Sequence, residues 1–468
     1  MVVTSPTNQL ASSLVNAKLL PQWIASLAVL FLLSQIGSMF GWTSPYSARL
    51  TSRDSPIPLT LDQMSWVASQ LNLGRVVGAF IGGICAYHWG SKKTILLTLV
   101  PILTGWILIT IADGPLLLYI SRFSSGLGLG MAFNCFPLFV GEIASPKIRG
   151  TIITIALCGS SLGFMLASIL GSYLSLNNSA LVFLAIGLVD VSIFLWLPET
   201  PHHLLKLGKT EAAKRSLEWY RGGIDVSEEL DTVQKYVSSA SLESFGHKLK
   251  EFGNPVIRKT CFISVMLYVF MQVCGFNSVM LYMEIILRKG GSDVIPPSYG
   301  AVVVSGLGAI TSALTVNMMD KFGRKGVTAV SSLGTSLSMV ALGTYFLLIG
   351  YGLDMTGFTW LPLASIILFN EAFVIGLMIV PSAVMSELFP ANIKSIAACI
   401  SGFIASIFAF GSSKTYQPLV DTFGEAYVFY IYAMINALCI PFVIFVMPET
   451  KRKSLQQIQD DLMKGIKG

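Results

Sequence analysis

Two amides lie five residues apart in an otherwise apolar stretch: Gln272 and Asn277 of "MLYVFMQVCGFNSVMLY", with Phe276 and Tyr282 nearby. An amide both donates and accepts hydrogen bonds, and an aromatic ring adds a flat apolar face. Together they suit a neutral, hydroxyl-rich solute, which is costly to strip of water unless its hydrogen bonds are replaced. Their spacing is read as one side of a continuous helix, although the same amides could instead bond to neighbouring helices. A second chemistry is charge pairing. Glu142 precedes Arg149 by seven residues, Glu387 precedes Lys394 by seven, Asp320 and Arg324 flank Gly323, and Glu199 and Glu449 each sit in a Pro-Glu-Thr. Three further charges, Arg75, Arg122 and Asp190, interrupt apolar runs. The seven cysteines fall in or beside such runs without metal-ligand spacing, and read as packing residues. His202 and His203 are adjacent in what reads as a loop. With no phosphate loop or nucleophile constellation either, neither an enzyme nor a metal or cofactor site is expected.

The elements that must position these residues are set by composition. Charged residues make up 12% of the 468, about half the level of soluble proteins. Hydrophobic residues make up 53%, and the mean hydropathy is +0.69. A span needs roughly twenty apolar residues. Such runs lie at 22–42, 64–88, 94–112, 116–140, 151–175 and 179–197, then at 260–285, 299–319, 327–351, 357–385, 395–419 and 425–447. The expected division is an N-terminal segment 1–21, a six-helix half 22–198, a linker 199–259, a second half 260–447 and a tail 448–468. Only Lys18 precedes the first run and no small-residue cleavage site follows it, so it reads as a retained signal-anchor. Basic residues such as Lys92, Lys93, Arg149, Arg324, Lys325 and Lys451 gather on one side, which places both termini and the linker in the cytoplasm. Topology thus explains the net charge of +6 without a nucleic-acid partner. The linker sequences "TEAAKRSLEWYRGG" and "VSEELDTVQKYV" read as short amphipathic helices. A charge inside a membrane is expensive and marks a functional site by default. For Arg75 two roles stay open, a structural ion pair or a contact to solute, with Asp190 and Glu371 as candidate partners.

The halves repeat each other. Aligned on Gly90 and Gly323, "GEIASPKIRG" matches "SELFPANIKS" and "LPETP" matches "MPETK". Parallel six-span repeats with a site between them at the midplane mark a rocking transporter. Arg122 with Gly126, Gly128 and Gly130, Pro198–Pro201, Gln272 with Gly275 and Asn277, Asp320–Lys325, Glu387–Pro390 and Pro448–Lys451 occur in order at the matching helix ends. Through them the chain resembles a sugar porter of the major facilitator superfamily over essentially its full length. "GWTSPYSARL" and "SKTYQPL" look most like the insect facilitated trehalose and sugar transporters.

The resemblance implies an all-α membrane protein of twelve transmembrane helices, in two six-helix halves with a cytoplasmic helical linker. It implies facilitated diffusion (uniport) of trehalose or a hexose across the plasma membrane by alternating access, in a monomer embedded in the lipid bilayer. It carries sugar contact onto Gln272 and Asn277. Glu142, Arg149, Glu387, Lys394, Asp320, Arg324, Glu199 and Glu449 are expected to form a charge network at the cytoplasmic ends that breaks as the halves rock. Arg122 resembles the arginine that faces a first-span acid in proton-coupled members. Here the first span has no Asp or Glu, which favours uniport, with Asp190 the residue that could overturn this. Other family contact positions fall on Leu157, Met271, Ser382, Gly308 and Ala405-Ser406, so a roomier, less polar cavity is expected. Two alternatives stay open: a sugar sensor that binds without carrying, and a porter of another small solute with Arg75 meeting an anion. The first repeat turn has Tyr87, His88 and Ser91 where the second has charges, which predicts a weakened inner lock and a tilt toward an inward-facing state.

Overall fold

The computed structural model describes residues 6–145, 148–242, 251–292, 294–389, 391–451 and 457. With no water in a bilayer, backbone groups must be satisfied within the segment, and helices do this. The chain forms α1 (Pro6–Leu50), α2 (Leu61–Trp89), α3 (Ser91–Thr110), α4 (Pro115–Ile143), α5 (Arg149–Tyr173) and α6 (Leu176–Trp196). Among the described residues, three short helices follow, α7 (Pro201–Lys206), α8 (Thr210–Tyr220) and α9 (Ser227–Leu242). The second half contains α10 (Pro255–Val273), α11 (Phe276–Lys289), α12 (Pro297–Gly350), α13 (Leu361–Ile375), α14 (Val380–Leu388), α15 (Ala391–Phe423) and α16 (Glu425–Phe445). Spans one to six are α1–α6. Span seven is α10 plus α11, eight and nine are α12 on either side of a non-helical Gly323, ten is α13 plus α14, and eleven and twelve are α15 and α16. Among the described residues, eleven helices are long and apolar enough to cross a membrane, and the shorter Pro297–Thr311 supplies the eighth span, for twelve in all.

Each half has its own buried core. In the first half α1 packs on α5 and α2 on α4, with backbones touching. A Cβ on Gly37 would lie 1.8 Å from the Ser160 carbonyl oxygen, and one on Gly163 1.9 Å from that of Ser34. Between α2 and α4, a Cβ on Gly78 would lie 2.1 Å from Leu127 O and one on Gly130 2.3 Å from Arg75 O. Small residues at this approach are how helices associate where lipid is as apolar as any side chain.

The halves meet through α1 with α11, α2 with α15, and α5 with α12. Several hydrogen bonds join them toward the end away from α7–α9. The Glu284 N–H donates to Ser44 Oγ (3.2 Å), Asn72 Nδ2 to Ser413 Oγ (3.0 Å) and Lys414 Nζ to Asp62 Oδ1 (3.0 Å), and the Tyr173 and Tyr299 hydroxyls bond each other. At the opposite end α7–α9 fold under the first half, where Arg221 donates to Ile143 O (2.7 Å) and pairs with Glu229 (2.5 Å). His202 and His203 lie on α7 and not in a loop, because Pro201 opens a helical turn there.

Candidate solute-binding site

The seventh span is not the continuous helix expected from its apolar pattern. α10 ends at Val273, Gly275 takes a left-handed φ of +99°, and α11 starts at Phe276. That conformation favours glycine, and a Cβ there would also lie 2.8 Å from the Tyr432 ring. The break is held from span twelve. Asn436 Nδ2 donates to the freed Cys274 carbonyl (3.0 Å), and the Tyr432 and Ser278 hydroxyls share a 2.8 Å bond.

This break, and not helical spacing, brings the two amides together. Five residues on a straight helix stand about 140° apart, yet Asn277 Nδ2 donates to Gln272 Oε1 at 3.0 Å. Among the described residues, none bonds Gln272 Nε2 or Asn277 Oδ1, and neither atom is wholly buried, leaving one donor and one acceptor for a solute. Phe276 stacks on Phe373 of span ten (centroids 4.1 Å apart). Tyr282 is buried with its ring on Tyr416 of span eleven (4.8 Å).

The sequence singled out neither Asn436 nor Tyr432, although an amide in the apolar "YAMINALCI" was a visible signal. Of the positions that depart from the family, Leu157 and Ser382 are exposed and Met271 is half-buried, while Ala405 and Ser406 are fully buried. The room expected at Gly308 is taken up, since a Cβ there would lie 2.7 Å from Asn370 Nδ2.

The intramembrane charges do not pair with one another. Arg122 is fully buried, donates to Thr43 Oγ1 (2.6 Å) and lies 5.1 Å over the Trp42 ring. Both Asp190 carboxyl oxygens are buried without a partner. Arg75 lies 5.4 Å over the Phe133 ring, and Glu371 accepts from Thr311 Oγ1 and Asn370 Nδ2. Pairing of Arg75 with Asp190 or Glu371, a candidate from sequence, is not what the helix rotations produce.

Among the described residues, the bonds seen for those expected to form one network at the linker end fall in two clusters, one in each half. In the second half Arg324 pairs with Glu387 (2.8 Å). The Glu449 carboxylate accepts the N–H groups of Arg324 and Lys325 (3.1 Å each), Thr450 (2.9 Å) and Lys451 (3.0 Å). It thereby caps the ninth span, where a negative charge is favoured. Lys394 donates to Ser386 O (2.9 Å). The Asp320 side chain lies outside the described residues.

In the first half the same turn recurs with different chemistry. Gly90 has φ +84° and Gly323 +78°. Ser91 donates to Glu142 (2.5 Å) where Arg324 meets Glu387. Lys92 donates to Leu197 O as Lys325 does to Ile444 O. Arg149 donates weakly to Ala144 O (3.4 Å), and Glu199 accepts the Thr200 N–H (3.2 Å). A Cβ on Gly90 would meet the His203 ring at 2.5 Å, and one on Gly323 would meet Glu449 at 2.7 Å. Burial holds the His203 imidazole below its usual range, with Glu199 pulling the other way, so near neutral pH it packs as an uncharged ring.

For Glu449, burial alone would raise the carboxyl. The N–H groups of Lys451, Arg324, Lys325 and Thr450 outweigh it and hold the pKa below the ordinary 4.5. A depressed folded-state pKa adds stability above the unfolded value, and that stability is lost as pH falls through the folded one. Glu449→Gln should therefore lower the thermal midpoint near pH 7 by about 2 °C. The gap from the unsubstituted protein should close in acid below pH 4.5. Thermal unfolding in detergent across that range checks both.

Twelve spans in two repeated halves, touching at one end and separately clustered at the other, define a membrane transporter of the major facilitator fold. Residues 22–462 match the family model described as "Sugar (and other) transporter", and the chain belongs to that family. It is 31% identical over 443 residues to the facilitated trehalose transporter Tret1 of Apis mellifera ligustica, covering 94% of this chain and 87% of that one. It is 29% identical over 445 residues to the Bombyx mori Tret1, covering 95% and 87%. The inward open structure of the xylose transporter XylE from E. coli superposes with a TM-score of 0.77 at 19% identity, covering 93% of this chain and 98% of that one. The partially occluded inward open form gives 0.76 at 19% identity, covering 92% and 99%.

Proposed function

We propose that the protein is a facilitative carrier of a sugar, trehalose or a hexose, across the plasma membrane, working by alternating access as a monomer. The observation that carries this is the unspent donor on Gln272 and the unspent acceptor on Asn277, side by side at the broken seventh span. Backbone breaks at membrane depth are tolerated where they line a cavity or are buried in protein, and a carrier's site lies at such breaks near the midplane. Relatives of comparable length are named as facilitated trehalose transporters.

The linker end is assigned to the cytoplasm from its basic residues. On that assignment the hydrogen bonds between the halves close the outer side, whereas the inner bonds of Arg324 with Glu387 and of Ser91 with Glu142 each run within one half. This arrangement favours an inward-facing state. Uniport is preferred to proton coupling because Arg122 is engaged by Thr43 and Trp42 rather than by a carboxylate.

The test is uptake of labelled trehalose and glucose into proteoliposomes, with and without a pH gradient. Downhill flux insensitive to the gradient is expected. Flux that requires an inward proton gradient would exclude uniport, and sugar binding without flux would make the protein a sensor.

A further inference from the structure

The sugar reading leaves Arg75 without a task. It stands at the middle of the 29-residue α2, fourteen residues from either end. That is about 21 Å along the axis from each end of the helix, too far for its head group to snorkel to either end. Nor can α2 turn to carry it elsewhere. Gly74 and Gly78 seat α2 directly on the α4 backbone, where a Cβ on either would lie 2.1 Å from a carbonyl oxygen of Phe123 or Leu127.

Among the described residues, none supplies the guanidinium with a counter-charge. Phe133 of span four lies beneath it at 5.4 Å. Tyr268 of span seven, in the other half, is an ionisable neighbour of it but carries no charge near neutral pH. An aromatic face attracts a cation but accepts few of the five N–H groups an arginine offers. Arg75 is nevertheless partly exposed, and so is Phe133 on the central helix α4. Phe133 belongs to span four of the first half, and Tyr268 to span seven of the second, so Arg75 stands near both halves. Tyr268 stands one helical turn before Gln272, so the two share a face of α10.

The geometry points to a solute that carries one negative charge: a sugar acid whose carboxylate docks on Arg75 and whose hydroxyls meet Gln272 and Asn277. A planar guanidinium takes a carboxylate in a bidentate fork, and Tyr268 links the position of Arg75 to the Gln272 face of α10. This rests on the assignment of Gln272 and Asn277 to sugar and adds the class of sugar.

The experiment uses the full chain in proteoliposomes, with labelled D-glucuronate, D-glucose and trehalose, in the unsubstituted protein, Arg75→Gln and Arg75→Lys. Glucuronate should enter with a KM about tenfold below that of glucose, and faster when the lumen is held positive. Arg75→Gln should raise the glucuronate KM about tenfold or more and leave neutral-sugar uptake within about twofold, while Arg75→Lys keeps part of the preference.

If Arg75→Gln does not fold, competition in the unsubstituted protein decides. Glucuronate inhibiting more strongly than the neutral glucuronamide supports the proposal, and equal inhibition overturns it. Equal competition by chloride or inorganic phosphate overturns a sugar acid in favour of a general anion site. Uptake of glucose or trehalose without glucuronate overturns the anion proposal alone, whereas no flux of any sugar overturns the carrier reading as well.

Discussion

Gly163→Leu is expected to abolish recovery of folded protein. α1 and α5 approach until a Cβ on Gly163 would lie 1.9 Å from Ser34 O, and the reciprocal Gly37 and neighbouring Gly159 are as crowded, at 1.8 Å from Ser160 O and 2.4 Å from Leu30 O. The obstacle is backbone on both sides, so no rotamer change makes room. Inserting methylenes into a packed core commonly costs about 1–3 kcal/mol, and four carbons against a carbonyl exceed what side-chain adjustment relieves. The two helices must separate, and with them the core of the first half. Gly150 on the same helix has nothing within 4 Å of its missing Cβ, so Gly150→Leu is the matched control and should behave like the parent. Size-exclusion profiles of detergent-solubilised, fluorescently tagged protein report the difference. A monodisperse Gly163→Leu peak of normal height would mean that α1 and α5 do not touch as described.

Asn277→Leu should fold and lose sugar uptake. The substitution keeps the number and branching of the side-chain heavy atoms and leaves the Gly275 break and its Asn436 and Tyr432 supports in place. It removes the acceptor offered to solute and strands Gln272 Oε1, which had accepted from Asn277. An unmet buried polar group costs about 1–3 kcal/mol, or about ten- to a hundredfold in apparent affinity. Gln272→Leu should act similarly. The double substitution should cost less than the two losses added, because the amides form one unit. Initial uptake rates across sugar concentrations give the KM for each variant. An unchanged KM in Asn277→Leu would show that the amides serve only to hold the break.

The spans were legible because lipid demands long apolar segments with satisfied backbones, and the repeat turns because Gly90 and Gly323 punctuate them identically. What failed to show was rotation and interruption. A helix apolar on every face carries no record of which side meets its neighbour, so Arg75, Asp190 and Glu371 could be named as candidate partners but not correctly paired. Gln272 and Asn277 were identified, yet for a reason that does not hold. The break at Gly275 joins them, and glycine before an aromatic in an apolar run is too common to announce one. One signal was present and unread: Gly74, Gly78 and Gly82 recur every fourth residue, the spacing of close helix contact.

The paired turns also make the two halves differ in what can loosen them. Arg324 with Glu387 is an ion pair of two partly exposed side chains, whereas Ser91 with Glu142 joins a hydroxyl to a carboxylate. Mobile ions weaken the attraction between opposite charges near a surface and act less on a bond with one charged partner. A rise in ionic strength therefore relaxes the end of the second half while the first keeps its grip. The repeat conserves the backbone of a latch and makes its second copy the more responsive to salt.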